Sequence, residues 1–102
     1  MIFEQIGDNR EYESITPTTA TGFTAARYTP GTGDGFKAKA VQICPETAPI
    51  RVRMDGTAPT ADEGIYVDST EKYLIIGAEN IANFQCIDTV LGASTVKCLF
   101  FF

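Results

Sequence analysis

Ile50 to Val67 reads IRVRMDGTAPTADEGIYV, and the alternation of its side chains decides the fold class. Ile50, Val52 and Met54 project to one side and Arg51 and Arg53 to the other. That is the period-two pattern of a strand with one buried and one wet face. Asp55-Gly56 then supplies the positive-φ tolerance that a chain reversal needs. Thr57 to Gly64 is too polar, and too broken by Pro59 and Gly64, to pair as a ladder, so it reads as an ordered loop. Ile65-Tyr66-Val67 resumes extended structure. The architecture this implies is antiparallel β.

Working outward, short extended runs recur about every ten residues, the spacing of a sandwich or barrel. They are Glu11–Ile15, Phe23–Tyr28 ending before Pro30, Lys37–Cys44, Lys72–Ile76, Phe84–Val90 and Ala93–Phe102. Gly31–Gly35, Asp68–Glu71 and Leu91-Gly92 are turn signals, and Gly77–Asn83 reads as a single helical turn with Ala78, Ile81 and Ala82 inward. The expected fold is all-β: one antiparallel β-sandwich spanning residues 1–102, jelly-roll-like, with about seven or eight short strands. Residues 1–10 form an N-terminal arm or a short strand. The expected core is Val41, Ile43, Ile50, Val52, Met54, Leu74, Ile76, Phe84, Cys86, Val96, Cys98 and Phe100.

One hairpin has an arguable register. Pairing Ile43 with Ile50 sets Val41 opposite Val52 on one face, with Gln42 against Arg51 and Ala40 against Arg53 on the other. A slip of one residue would set apolar side chains against arginines. Arg51 and Arg53 would then form a solvated face or a docking patch for an acidic partner.

The C-terminal run ASTVKCLFFF places Val96, Cys98, Phe100 and Phe102 on one face and Thr95, Lys97, Leu99 and Phe101 on the other. Its last four residues are apolar on both faces, so the second face needs a cover. Either a partner protein supplies it, or the N-terminal arm does through Ile2, Phe3 and Ile6. The first alternative makes Ile2, Phe3, Leu99, Phe101 and Phe102 interface candidates, alongside Arg51 and Arg53.

At 102 residues the chain can bury roughly two-thirds of its unfolded surface, so it needs no staples. Its formal charge of −5 opposes binding to nucleic-acid phosphates and to anionic membranes. No stretch approaches the roughly 20 apolar residues of a membrane helix. MIFEQIGDNREYE lacks the basic start and apolar core of a signal peptide, so the expected site of synthesis is the cytoplasm.

The chain has no histidine, which removes the commonest general base and metal ligand and rules out a Ser-His-Asp or Cys-His device built within it. None of its serines lies in a G-x-S-x-G elbow, and Gly31–Gly35 lacks the Lys and Ser/Thr of a phosphate loop. Asp55, Asp62 and Glu63 have no specific calcium-ligand spacing. The expectation is no enzyme and no cofactor. Cys44, Cys86 and Cys98 lie in apolar runs and read as small buried hydrophobes, with one disulfide, Cys86–Cys98, left open if their strands are neighbours.

R-x-D-G-T-x-P-T at Arg53–Thr60, the Gly-led strand at Gly64, Y-L-I-I-G, A-N-F-Q-C-I and the final T-V-K-C-L-F-F together form a pattern over roughly residues 37–102. It resembles small β-sandwich virion structural proteins of tailed bacteriophages, the head decoration or cement and neck or tail accessory types. Arg53, Asp55, Gly56, Thr57, Pro59, Thr60 and Gly64 carry the match. The resemblance implies a non-enzymatic virion protein, first of all a capsid decoration or cement protein and alternatively a neck or tail adaptor. Its implied partners are the major capsid protein or neck and tail components, and further copies of itself. D-G-T-x-P-T is also similar to a loop of β-sandwich modules appended to chitin- and hexosamine-degrading enzymes, which would make Thr57–Gly64 part of a carbohydrate site.

Overall fold

Strands form where the sequence alternates, and the structure, a computed structural model, describes them over residues 9–29 and 37–102, with side chains from Glu11 onward. The expected arm with Ile2, Phe3 and Ile6, and the Gly31–Gly35 turn, lie outside the described residues. In chain order the elements are β1 (Asn9–Ile15), α1 (Ala25–Tyr28), β2 (Ala40–Glu46), β3 (Ile50–Arg53) and β4 (Ile65–Val67), then β5 (Tyr73–Ile76), α2 (Ala78–Asn83), β6 (Gln85–Asp88) and β7 (Thr95–Phe101). They make two antiparallel sheets, one of four strands in the order β1-β7-β2-β5 and one of three in the order β4-β3-β6. The fold is all-β and sandwich-like, with seven strands among the described residues. No described helix is long and apolar enough to cross a membrane.

Both sheets contribute side chains to one core. Val41, Ile43, Val96, Cys98 and Phe100 come from the four-stranded sheet, and Ile50, Val52, Val67 and Cys86 from the three-stranded one. At its centre Phe23 stacks on Phe84 with ring centroids 4.1 Å apart and planes at 5°, and meets Phe100 edge-on at 5.2 Å. Both arrangements are favoured by the ring quadrupoles. Met54, expected in the core, packs against it half-buried.

The structure corrects the expected hairpin. β2 and β3 do not pair. Ile43 lies opposite Cys98 and Tyr73, whereas Ile50 lies opposite Val67 and Asp88 in the other sheet. Between them the chain changes sheet through Thr47, at a positive φ of 76°, and Pro49, which has no N–H to continue a ladder. Val41 and Ile43 still turn the same way as Val52 and Ile50, into the core. They do so from two facing sheets, an arrangement that satisfies the alternation equally well.

Phe23–Tyr28, expected as a strand, gives a helical turn. Ala25 and Ala26 favour it intrinsically, and β1 anchors it. The Thr24 N–H donates to Glu13 Oε1 at 3.0 Å, the Thr24 hydroxyl donates to Glu13 Oε2, and Arg27 pairs with Glu11 at 3.0 Å. In α2, Ile81 is buried as expected, but Ala78 and Ala82 are exposed.

β5 has the opposite phase to that expected. Ile75 is 2% exposed and Ile76 59%, while Leu74 is half-buried. Tyr73-Leu74-Ile75-Ile76 is apolar on both faces, so alternation gives it no phase. Pairing with β2 sets Ile75 opposite the inward Val41. Ile75→Ala should therefore cost about 2–5 kcal/mol in urea unfolding and Ile76→Ala under about 1 kcal/mol; the reverse order would show the strand inverted.

Candidate interaction surfaces

The outer face of the three-stranded sheet carries the Arg-x-Asp-Gly loop. Arg51 and Arg53 point outward from β3, as expected, but neither is a bare cation waiting for a partner. The Arg51 guanidinium donates to Ala61 O at 3.4 Å and Gly64 O at 3.3 Å, and lies 5.1 Å from the ring centroid of Tyr66, its cross-strand neighbour in β4. Arg53 holds the Asp55 carboxylate with two hydrogen bonds, Nε to Oδ1 at 3.1 Å and Nη2 to Oδ2. Asp55 Oδ1 also accepts from the Thr57 N–H at 3.2 Å.

Beyond that turn, Thr60 and Glu63 form a small antiparallel bridge, Thr60 Oγ1 accepts from the Asp62 N–H at 3.3 Å, and Pro59 is buried. Gly56 has the positive φ expected of it, 87°. At Gly64 the requirement for glycine is steric as well as torsional. Its φ is 134°, and a Cβ there would lie 3.1 Å from Val52 O and 3.2 Å from Arg51 Cβ. Asp55, Gly56, Thr57, Pro59, Thr60 and Gly64 thus build one clamped loop. Both arginines are occupied in holding it, and both stay on the outward, partly exposed face on which they were expected.

The hydrogen bond from Arg53, then that from the Thr57 N–H, lowers the Asp55 carboxyl to about 2 from its ordinary 3.8. A carboxyl depressed on folding contributes its stabilisation fully above the unfolded value and loses it as pH falls through the folded one. The clamp should thus be intact above about pH 4 and released near pH 2. An NMR titration of Asp55 should give a midpoint about 2 in the wild type, moved upward in Arg53→Met. Identical midpoints would show that the clamp does not form in solution.

The outer face of the four-stranded sheet is more apolar. Tyr12, Leu99, Gln42 and Leu74 form one row across β1, β7, β2 and β5, and Ser14, Lys97 and Cys44 the next. Tyr12 is 51% exposed, and Leu99 and Leu74 are half-buried. Phe101 and Phe102, expected at an interface, are only 1% and 7% exposed in the single chain, so they offer no surface to a partner as they stand. Of the C-terminal candidates, Leu99 alone is partly open.

A third feature escaped the sequence reading. Val90 and Leu91, in the turn between β6 and β7, are 60% and 81% exposed. Expected as the end of a strand and the start of a turn, they form instead the tip of a pinned finger. Asp88, itself 4% exposed, accepts the Gly92 N–H on Oδ2 at 2.9 Å. Thr89 donates its N–H and its hydroxyl to Pro49 O at 3.3 and 2.9 Å, and Ala93 N–H bonds Val90 O at 3.0 Å. Gly92, at φ 75°, takes the left-handed step that closes the turn. An apolar pair directly before a glycine was the only signal in the sequence.

Among the described residues, no three Cys, Asp or Glu side chains come together as a metal site. Cys86 and Cys98 are buried free thiols on strands of different sheets, so the adjacency that a bridge between them required is not met. Burial, and then the Asp88 charge, pushes the Cys86 thiol up to about 12; burial raises Cys98 as well. Native labelling with a thiol reagent should modify Cys44 alone, and all three cysteines after unfolding. Rapid native labelling of Cys86 or Cys98 would contradict the packing. No protein-family model, curated protein or solved structure matches the chain.

Proposed function

We propose that the chain is a non-enzymatic structural protein of a tailed-phage virion, a head decoration or cement protein that coats the shell through protein–protein contacts. One observation carries the reading. Large apolar side chains are held in solvent on well-fastened elements: Leu91 at 81%, Val90 at 60%, Ile76 at 59% and Tyr12 at 51% exposure. A partner that covers the chain would bury these groups and gain their transfer energy. The acidic balance of −5 and the sequence pattern around Arg53–Gly64 support the same reading. A neck or tail adaptor would use the same surfaces and differ in copy number, a single ring in place of a lattice.

The runner-up is a carbohydrate-binding module, for which Tyr66, 50% exposed beside the clamped loop, would be the platform. Arg51 already lies over that ring, which speaks against it.

The test is fractionation of particles from the chain's source on a density gradient. As a coat protein, the chain bands with the major capsid protein at a fixed ratio. A chain found only in the soluble fractions, or one that binds a glycan array through Tyr66, overturns the proposal.

A further inference from the structure

We infer that a hollow on the outer face of the four-stranded sheet binds a small organic carboxylate with a compact apolar body, about the size of benzoate. The inference goes beyond the coat reading and does not depend on it.

The pairing of β2 builds the floor. Val41 and Ile43 turn into the core, so Gln42 between them turns outward, opposite Leu99 of β7 and Leu74 of β5. Gln42 is only 8% exposed, the one buried side-chain amide among the described residues. Buried polar side chains take hydrogen-bond partners, and the other two here, Asp88 and Ser94, do so. The Gln42 amide has none among the described residues. Nor is it sealed in, since the only unpaired side-chain atom that is fully enclosed is Asp88 Oδ1. What remains open of the amide therefore faces the hollow that Gln42 lines.

The hollow has a volume of about 160 Å³, and Tyr12, Cys44, Lys72, Lys97 and Leu99 surround that amide. A cavity of about 150 Å³ suffices for a benzene-sized group. Tyr12 and Leu99 supply apolar wall. Lys72 and Lys97 are the only charged residues in the lining, which contains no carboxylate. Lys97, opposite Cys44 in the ladder, donates to the Ser14 hydroxyl at 3.2 Å. Neither lysine has a carboxylate within ion-pair distance among the described residues. The acids of the adjoining segments stand outside the lining. Asp68 accepts from the Ser69 hydroxyl and Glu71 from the Asp68 N–H, both within their own turn, and Glu46 lies exposed one row beyond Cys44.

One ligand chemistry answers all of these groups. A carboxylate accepts from the ammonium groups and from the Gln42 amide N–H, while a ring lies against Tyr12 and Leu99. Inorganic phosphate would meet the donors but leave the apolar wall wet. A neutral ring would cover the wall and forgo the charge.

The test is an NMR titration of the isotope-labelled full chain with benzoate, benzamide and inorganic phosphate. Benzoate should saturate with a dissociation constant of about 1 mM or tighter, shifting the backbone amides of Tyr12, Gln42, Cys44 and Leu99 most. Benzamide and phosphate should each bind about tenfold more weakly or worse. Gln42→Leu and Lys97→Gln should each weaken benzoate by about fivefold or more. The unpaired amide adds no hydrogen bond to the fold, so Gln42→Leu, which nearly keeps the volume, should melt no lower than the wild type. Lys97 is outside the core, so Lys97→Gln reads the site independently of the sheet's floor. Absence of saturable shifts, benzamide or phosphate binding as tightly as benzoate, or two variants that bind benzoate like the wild type overturns the inference.

Discussion

Replacing Phe101 and Phe102 together by alanine should leave the chain largely unfolded at physiological temperature. Phe101, the last residue of β7, and Phe102, just beyond it, are 1% and 7% exposed. Removing a buried phenylalanine side chain costs about 3–5 kcal/mol, from lost transfer energy and from the cavity left behind. Two such losses approach or exceed the roughly 5–15 kcal/mol that holds a domain of this size together. β7 also pairs with both β1 and β2, so loosening its end disturbs the centre of the four-stranded sheet. Circular dichroism and a urea titration decide the matter. A double variant with the wild-type midpoint would mean that these rings are surface groups, as the apolar end of the sequence first suggests, and that the burial is wrong.

Phe84→Ala should be nearly as damaging. Phe84 is 1% exposed, stacks on Phe23, and joins α2 to β6. Its loss removes one ring of the Phe23–Phe84–Phe100 set and leaves Phe23 without its stacking partner. About 3–5 kcal/mol of destabilisation corresponds to a fall in Tm of roughly 15 °C or more for a domain of this length. Phe84→Leu, which keeps most of the volume, should recover more than half of that loss. A Phe84→Ala chain that melts within a few degrees of wild type would place Phe84 outside the core.

Where one face of a strand is polar, the sequence reports its orientation faithfully. Ile50-Arg51-Val52-Arg53 and Val96-Lys97-Cys98 both alternate, and each buries the residues expected. Tyr73–Ile76 is apolar on both sides, so its phase comes from pairing with β2 and is not written in its own residues. Sheet membership was equally hidden. Alternation says which side chains turn inward but not from which layer, and β2 and β3 face one another across the core where a hairpin was expected. The short helix α1 depends on a long-range contact, Glu13 with Thr24, which no local window contains.

The surfaces show the same division. Arg53 and Asp55, two apart on an extended segment, share a side, so their pairing could have been read from the sequence. The Arg51 bonds to Ala61 and Gly64 could not, because they depend on how the loop folds back. The finger at Val90-Leu91 is invisible locally: two aliphatic residues before a turn look like the end of a buried strand. Only the buried Asp88, tied to Gly92, shows that the turn is fixed with its apolar side chains outward.

The most direct test of a coat or ring role is a cryo-electron microscopy reconstruction of gradient-purified particles from the chain's source. The predicted result is seven-stranded, sandwich-like density at every equivalent position of the shell or of a neck or tail ring, with Tyr12, Ile76, Val90 and Leu91 covered by neighbouring protein. Particles that lack such density, or that hold the domain with those side chains facing open solvent, would contradict it.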